Sequence, residues 1–239
     1  MTSTPPASAD PAPANPADLI SERAKAVRAA RLTYLSPAKL LQIERLLAEI
    51  RDARVPGALL EFGVALGGSA ILIADEAAPE RPFHGFDVFS MIPEPTSEKD
   101  DEKSRERYAV IRSGASKGIG GGEDYYGYRD DLHGDVLRSF ADFGLDPEAG
   151  WIRFHVGLFE DTLPGVETGP VAFAHVDCDW YDPVTLCLGW LRDRMSPGGA
   201  IILDDYHDYG GARTATDEFI AANPGFAFEP GPNPVIRKL

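Results

Sequence analysis

Two short acidic motifs close apolar runs in this 239-residue chain: Val176-Asp177-Cys178-Asp179 and Leu203-Asp204-Asp205. Carboxylates that converge repel one another unless a cation neutralises them. Hard oxygen donors suit Mg²⁺, with waters or substrate oxygens in the remaining positions. Asp177, Asp204 and Asp205 are therefore candidate metal ligands. The plainer reading is a set of caps and turn aspartates, the reading given to Asp182 before Pro183. His207 lies three residues beyond Asp204 and could take a proton near neutral pH, or be an ordinary exposed loop histidine. His84, His133, His155 and His175 sit in or beside apolar runs and read as packed residues. Nothing in the sequence pairs a base with Cys178 or Cys187.

A second constellation is Glu61-Phe62-Gly63-Val64-Ala65-Leu66-Gly67-Gly68-Ser69. Glycines between a strand and a helix let a ligand approach the backbone, and a helix start offers amide donors. The spacing matches neither the dinucleotide fingerprint nor a phosphate loop. Asp87 closes the next strand, where an acidic side chain in such folds accepts ribose hydroxyls. Together they favour a nucleoside-type cofactor. A third is Tyr125-Tyr126-Gly127-Tyr128, following the four glycines of residues 118–122. Rigid tyrosines beside flexible glycines suit a lid over a polar acceptor, or a surface loop packed on the core.

The elements that position these groups alternate. Strands are predicted over 58–63, 83–89, 151–156, 171–177 and 200–203, with helices over 69–76, 134–143, 182–191 and 213–222. Residues 226–229 and 235–238 resemble a terminal hairpin joined by Pro230-Gly231-Pro232-Asn233, and Ser196-Pro197-Gly198-Gly199 reads as a turn. Continuously apolar strands between helices imply an α/β fold, a mostly parallel sheet covered on both faces with an antiparallel edge. Ser36-Pro37 opens an amphipathic helix carrying Leu40, Ile43, Leu47 and Ile50, within an N-terminal helical arm over 18–56. Residues 1–17 are Pro, Ala and Ser and read as a disordered tail. Residues 90–133 read as a lid-like insertion, long for a compact domain.

Composition narrows the classes. The chain has 44% hydrophobic and 26% charged residues, which excludes a fibrous or wholly disordered protein. A net charge of -15 disfavours nucleic-acid and anionic-membrane binding. No apolar run approaches the roughly 20 residues that cross a bilayer, and the first residues lack the features of a secretory signal. Two cysteines make no disulfide framework, so a reducing cytoplasm is expected.

The motifs, taken in order, resemble the macrocin O-methyltransferase family. The resemblance rests on Phe62-Gly63-Val64 with Gly67-Gly68-Ser69, Gly85-Phe86-Asp87-Val88-Phe89 with Pro93-Glu94-Pro95, and Gly157-Leu158-Phe159-Glu160-Asp161-Thr162-Leu163-Pro164. It continues through His175 to Tyr181, and from Ser196 through Asp204-Asp205-Tyr206 to Arg213. It implies a Rossmann-like, class I, S-adenosylmethionine- and Mg²⁺-dependent methyltransferase sheet of seven strands, with metal ligands on Asp177, Asp204 and Asp205. It implies O-methylation of a small-molecule hydroxyl, a sugar of a natural product. A catechol-type acceptor and a metal-dependent hydrolase using the same aspartates are the rivals. On this reading Glu61, Gly63, Gly67 and Ser69 hold the methionine part of the cofactor. Asp87 holds the ribose, and Phe159-Glu160 borders the adenine. Asp177, then Asp179, or else His207, is the base, and Tyr125, Tyr126 and Tyr128 line the acceptor site. A homo-oligomer is expected. Trp180, where the family has leucine, and the segment from Gly114 to Tyr128 depart from the pattern.

Overall fold

Helix signals in the N-terminal arm are local and strong. The computed structural model describes residues 15–239, so residues 1–14 of the expected tail lie outside the described residues. Helix α1 (Pro16–Leu19) opens under an Asn15 cap, inside what was read as tail. The arm is not one helix: Ser21 Oγ accepts from the Ala24 amide and restarts the chain as α2 (Glu22–Ala29). Ser36 caps α3 (Pro37–Asp52) through the Lys39 amide, with Pro37 in the first turn as its fixed φ allows. Leu40, Ile43, Leu47 and Ile50 are all buried.

The chain then runs β1 (Ala58–Phe62), α4 (Gly68–Ala77), β2 (Phe83–Asp87), α5 (Glu102–Arg112), α6 (Leu132–Asp142) and β3 (Ile152–Val156). It continues with α7 (Phe159–Thr162), β4 (Val171–Val176), α8 (Tyr181–Arg192), β5 (Met195–Leu203), α9 (Gly210–Ala222), β6 (Phe226–Glu229) and β7 (Val235–Lys238). Among the described residues, seven strands form one sheet in the order β3-β2-β1-β4-β5-β7-β6. The first five are parallel; β7 pairs antiparallel with β5 and β6. Side chains alternate across it. Leu59, Phe83, Phe173 and Ile202 pack with α2, α3, α4 and α6; Leu60, Phe62, Ala174 and Ile201 pack with α8 and α9. Burying each such Leu, Ile or Phe contributes about 1.5–3 kcal/mol, which is why both faces must be covered.

Two local readings are corrected, and a helix is added. Ser196 to Gly199 is part of β5, not a turn: the register against β4 shifts between Val171 and Phe173, and Gly198 (φ 80°) absorbs the bulge. Asp182 does not cap α8, which starts at Tyr181; it accepts a bond from Thr96 Oγ1 instead. The segment read as an insertion contains α5. Its sequence is charged on most sides, so periodicity hides it. The helix is held by Asp101, which caps the Ser104 amide and accepts from the Gly210 amide, and by Asp100, which accepts from the Tyr181 amide.

Candidate active site

Sheet topology puts the carboxyl ends of β1, β2, β4 and β5 side by side, with the strand order reversing between β1 and β4, where open α/β sheets bind ligands. Two adjoining cavities open there. The first, of about 500 Å³, runs from Gly63, Asp87 and Asp177 to Gly157, Leu158, Phe159 and Glu160. The second, of about 470 Å³, is lined by Ser69, Lys39, Tyr125, Asp204 and Asp205, with cations from α5. Gly63, Ile92, Tyr126, Asp177, Asp179 and Trp180 line both. Two reactants could therefore meet over Asp177 and Asp179.

The glycine turn is built differently from the expectation of free amides. Asp87 Oδ2 accepts from Val64 N (2.7 Å) and Ala65 N (2.9 Å), and Oδ1 from Phe89 N (2.6 Å). The Gly67 and Gly68 amides donate to the Val64 and Leu32 carbonyls. Asp87 thus clamps the turn while still bordering the first cavity. Gly63 (φ 91°) is where a side chain has no room: a Cβ would stand 1.8 Å from the Asp177 carbonyl oxygen. Ala65, Phe89 and Asp179 hold positive φ of 49°, 48° and 60°, strain of the kind that gathers at ligand sites.

Of the residues expected to hold a cofactor, Gly63, Asp87, Phe159 and Glu160 line the first cavity and Ser69 the second. Glu61 and Gly67 line neither. Glu61 is fully buried, and its Oε1 meets His175 Nδ1 at 2.8 Å while Oε2 has no partner. Gly67 turns toward Val136 and Phe140. Tyr125 and Tyr126 line the second cavity with Tyr34, whose ring centroid is 6.1 Å from that of Tyr126. Tyr128 does not: its hydroxyl donates to the Ile111 carbonyl and accepts from Ser116 N. His207 also lines neither cavity; it sits exposed in a 3₁₀ turn with Nε2 3.0 Å from the Gly231 carbonyl oxygen. The chain direction after β5 turns it outward.

The acidic cluster is crowded. Burial, then Asp204, pushes Asp177 well above the usual carboxylate range; burial, then Asp179, does the same to Asp205. Burial and Asp204 raise Asp179 to about 7, with Arg107 pulling the other way. Asp204 goes below its usual value, because His175 and Lys39 outweigh its burial. For His175, burial is outweighed by the facing Asp204 and Glu61, and its value rises to about 10.

Two groups holding this cluster were missed by the sequence reading. Lys39 Nζ lies 3.0 Å from Asp204 Oδ2 and 3.2 Å from Asp208 Oδ2. Its signal was readable: a lysine in a first helical turn opposes the helix dipole and needs another reason to be there. Asn233, in the hairpin turn, donates from Nδ2 to Asp204 Oδ1 at 2.6 Å and is itself locked by Gln42. No sequence signal marked it.

The donor chemistry suits a hard divalent cation: burial first, and the neighbouring carboxylates second, raise Asp177, Asp179 and Asp205, and a cation would offset both. The groupings differ from the expected triad. Donor atoms of His175, Asp177 and Asp204 lie within 4.8 Å of one another, as do those of Asp204, Asp205 and Asp208. Both oxygens of Asp204 are already bonded, and Asp205 Oδ2 accepts from Asp179 N at 2.8 Å. A cation joining Asp177, Asp204 and Asp205 would use the lone pairs these bonds leave free. The first cavity fits a nucleoside with a charged tail. Leu158, Phe159 and Leu186 make an apolar slot, and Asp87, Glu160 and Asp177 border it.

A model of the macrocin O-methyltransferase (TylF) family matches residues 19–117 and 132–224. This chain belongs to that family. The unmatched stretch between the two blocks carries Tyr125 and Tyr126, the part of the second cavity that departs from the family pattern. A Streptomyces olivaceus 8-demethyl-8-(2,3-dimethoxy-alpha-L-rhamnosyl)-tetracenomycin-C 4'-O-methyltransferase is 32% identical over 176 residues, covering 68% of this chain and 61% of the relative. A Streptomyces niveus demethyldecarbamoylnovobiocin O-methyltransferase is 28% identical, covering 79% and 68%. The chain thus spans about two thirds or less of the length of these relatives. Among solved structures, the O-methyltransferase NovP superposes with a TM-score of 0.70 at 25% identity, covering 87% of this chain and 81% of that one. TomG from Streptomyces achromogenes, solved in complex with SAM, shares the fold at 16% identity with a TM-score of 0.56, covering 91% and 88%. No helix among the described residues is long and apolar enough to cross a membrane.

Proposed function

We propose that this chain is an S-adenosylmethionine-dependent O-methyltransferase that modifies a hydroxyl of a small molecule, a sugar of a natural product, with a divalent ion such as Mg²⁺ as second cofactor. The observation that carries this reading is the meeting of two cavities over Asp177 and Asp179, one with an apolar slot of Leu158, Phe159 and Leu186 and one with an acidic floor. Family membership supports the reaction, and the rhamnosyl substrate in the first relative's name supports the acceptor class.

In this reading Leu158 and Phe159 pack on the adenine and Glu160 borders it. Asp87 keeps the glycine turn closed so that Gly63 borders both cavities and Ser69 the second, and its carboxylate would accept from the ribose hydroxyls. Asp177, Asp204 and Asp205 would hold the divalent ion, which when bound lowers the pKa of an acceptor hydroxyl and orients it. Asp179 takes the proton. Asp179 lines both cavities and its carboxylate is not among the three assigned to the ion, which ranks it above Asp177. S-adenosylmethionine, when bound, would supply the methyl group, which the deprotonated oxygen would accept with S-adenosylhomocysteine as the leaving group. Tyr125, Tyr126 and Tyr34 close the acceptor side, and holding two reactants in one pocket supplies much of the acceleration.

The test is release of S-adenosylhomocysteine over a panel of glycosylated metabolites and catechols, with and without EDTA. Turnover of a glycoside that chelation abolishes and Mg²⁺ restores is expected. Turnover that survives exhaustive chelation would remove the metal, and turnover of catechols alone would replace the acceptor class.

A further inference from the structure

The acceptor-side cavity has a wall that this chemistry does not use. Lys103, Arg107 and Ile111 recur at i, i+4 and i+8 along α5, so they share one helix face, and all three line the second cavity. Asp100 and Asp101 pin α5 to the start of α8 and of α9, so the face is aimed by a fixed frame. The cavity's third cation, Lys39, is spent on Asp204 and Asp208. Arg107 is not. Among the described residues it forms no ion pair; one N–H bonds Ser116 Oγ at 2.9 Å, and its guanidinium stands 5.7 Å from the centre of the Tyr125 ring. Lys103 donates to the Asp208 carbonyl at 2.5 Å and lies 5.0 Å over the Tyr209 ring, with further N–H donors to give. A half-buried guanidinium without a carboxylate partner is unusual in a chain carrying a net charge of -15. Its planar fork of donors matches a carboxylate or phosphate.

We propose that Arg107 and Lys103 form an anion subsite, and that the acceptor carries a phosphate or carboxylate group besides the hydroxyl to be methylated. Exposure rises from buried Asp205 and Asp204 through half-buried Arg107 to exposed Lys103, so the anionic group sits outward of the hydroxyl. The assignment rests on the reading of this cavity as the acceptor site. The competing account is that the two cations only offset Asp179 and Asp208.

Calorimetry separates them, on protein saturated with S-adenosylhomocysteine and Mg²⁺, with three probes: UDP-glucose, glucuronate and methyl glucoside. At least one acidic probe is expected to bind ten-fold or more tightly than methyl glucoside. Preference for UDP-glucose identifies phosphate; preference for glucuronate identifies carboxylate. Arg107→Gln should erase most of the preference while leaving S-adenosylhomocysteine affinity intact, and Arg107→Lys should retain part of it, keeping charge without the fork. Equal binding of the neutral and acidic probes, or of none, overturns the subsite. So does an Arg107→Gln protein whose stability or cofactor affinity changes while the preference stays, which is the counter-ion outcome. Failure of S-adenosylhomocysteine itself to bind would instead refute the methyltransferase reading, and the probe preference remains measurable without it.

Discussion

Asp87 has two jobs that one substitution removes together. Its carboxylate accepts three backbone amides from two loops, and the side chain, though buried, borders the first cavity. Hydrogen bonds to a charged group contribute about 1.5–3 kcal/mol, and amides left without a partner cost a similar amount. Asp87→Ala is therefore expected to weaken S-adenosylhomocysteine binding by about ten- to a hundred-fold and also to lower the melting temperature. A variant that binds as wild type would free Asp87 from any part in the site. Asp179 differs, because its backbone, not its carboxylate, is committed: its amide donates to Asp205. Asp179→Asn should leave cofactor affinity unchanged and lower kcat by about 10²–10⁴. Wild-type activity should rise with pH as Asp179, whose burial raises it above the usual carboxylate range, loses its proton, and that limb should vanish in the variant. A limb that persists assigns the base to another group.

At the scale of elements, the sheet and most of its helices were readable because the central strands are largely apolar and buried, and most of the longer helices carry a cap or an apolar stripe. The terminal hairpin, 226–229 with 235–238, was legible from its Pro-Gly turn, and the structure keeps those bounds. Helix α5 was not legible, since its placement comes from Asp100 and Asp101 reaching backbone amides far along the chain. The acidic strand ends were legible as a cluster, but their partners were not: Lys39 and Asn233 come from elements that only the fold brings to β5. Glu61 and His207 line neither cavity, because side-chain direction near a strand end depends on register and on the next turn. The segment from 117 to 128 is a further case. A Lys117–Asp124 bridge and a Gly118 to Glu123 hydrogen bond make it a small hairpin, and Arg31 ties Glu123 to the N-terminal arm. That frame holds Tyr125 and Tyr126 against the second cavity. Replacing residues 118–122 by a shorter turn should raise the acceptor KM by about tenfold, roughly 1.4 kcal/mol of binding, with cofactor affinity nearly unchanged. If acceptor kinetics hold while an oligomer falls apart, the hairpin is an interface rather than a wall.

For the whole molecule, the acidic cluster ties stability to pH and to divalent ions in a direction that can be worked out. Asp177, Asp179 and Asp205 hold their protons to higher pH when folded than when unfolded. Between the ordinary carboxylate range and their folded values, the native state therefore binds more protons than the unfolded one. Stability must fall as pH rises across that window. His175 acts in the same sense: raised to about 10, it keeps in the fold a proton that the unfolded chain releases near 6.5, so its contribution is lost as pH rises toward 10. Asp204, shifted down, works the other way, but only in acid below its ordinary value. With EDTA present, the melting temperature should therefore decline steadily from pH 5 to pH 8. A divalent ion binds the ionised carboxylates and competes with protons for them, so its stabilisation should grow over the same interval. Mg²⁺ added at pH 8 should raise the melting temperature more than at pH 5, and Asp205→Asn should shrink both the pH slope and the Mg²⁺ effect. A Mg²⁺ shift of equal size at both pH values, or one unchanged in Asp205→Asn, would place the ion elsewhere on this acidic surface.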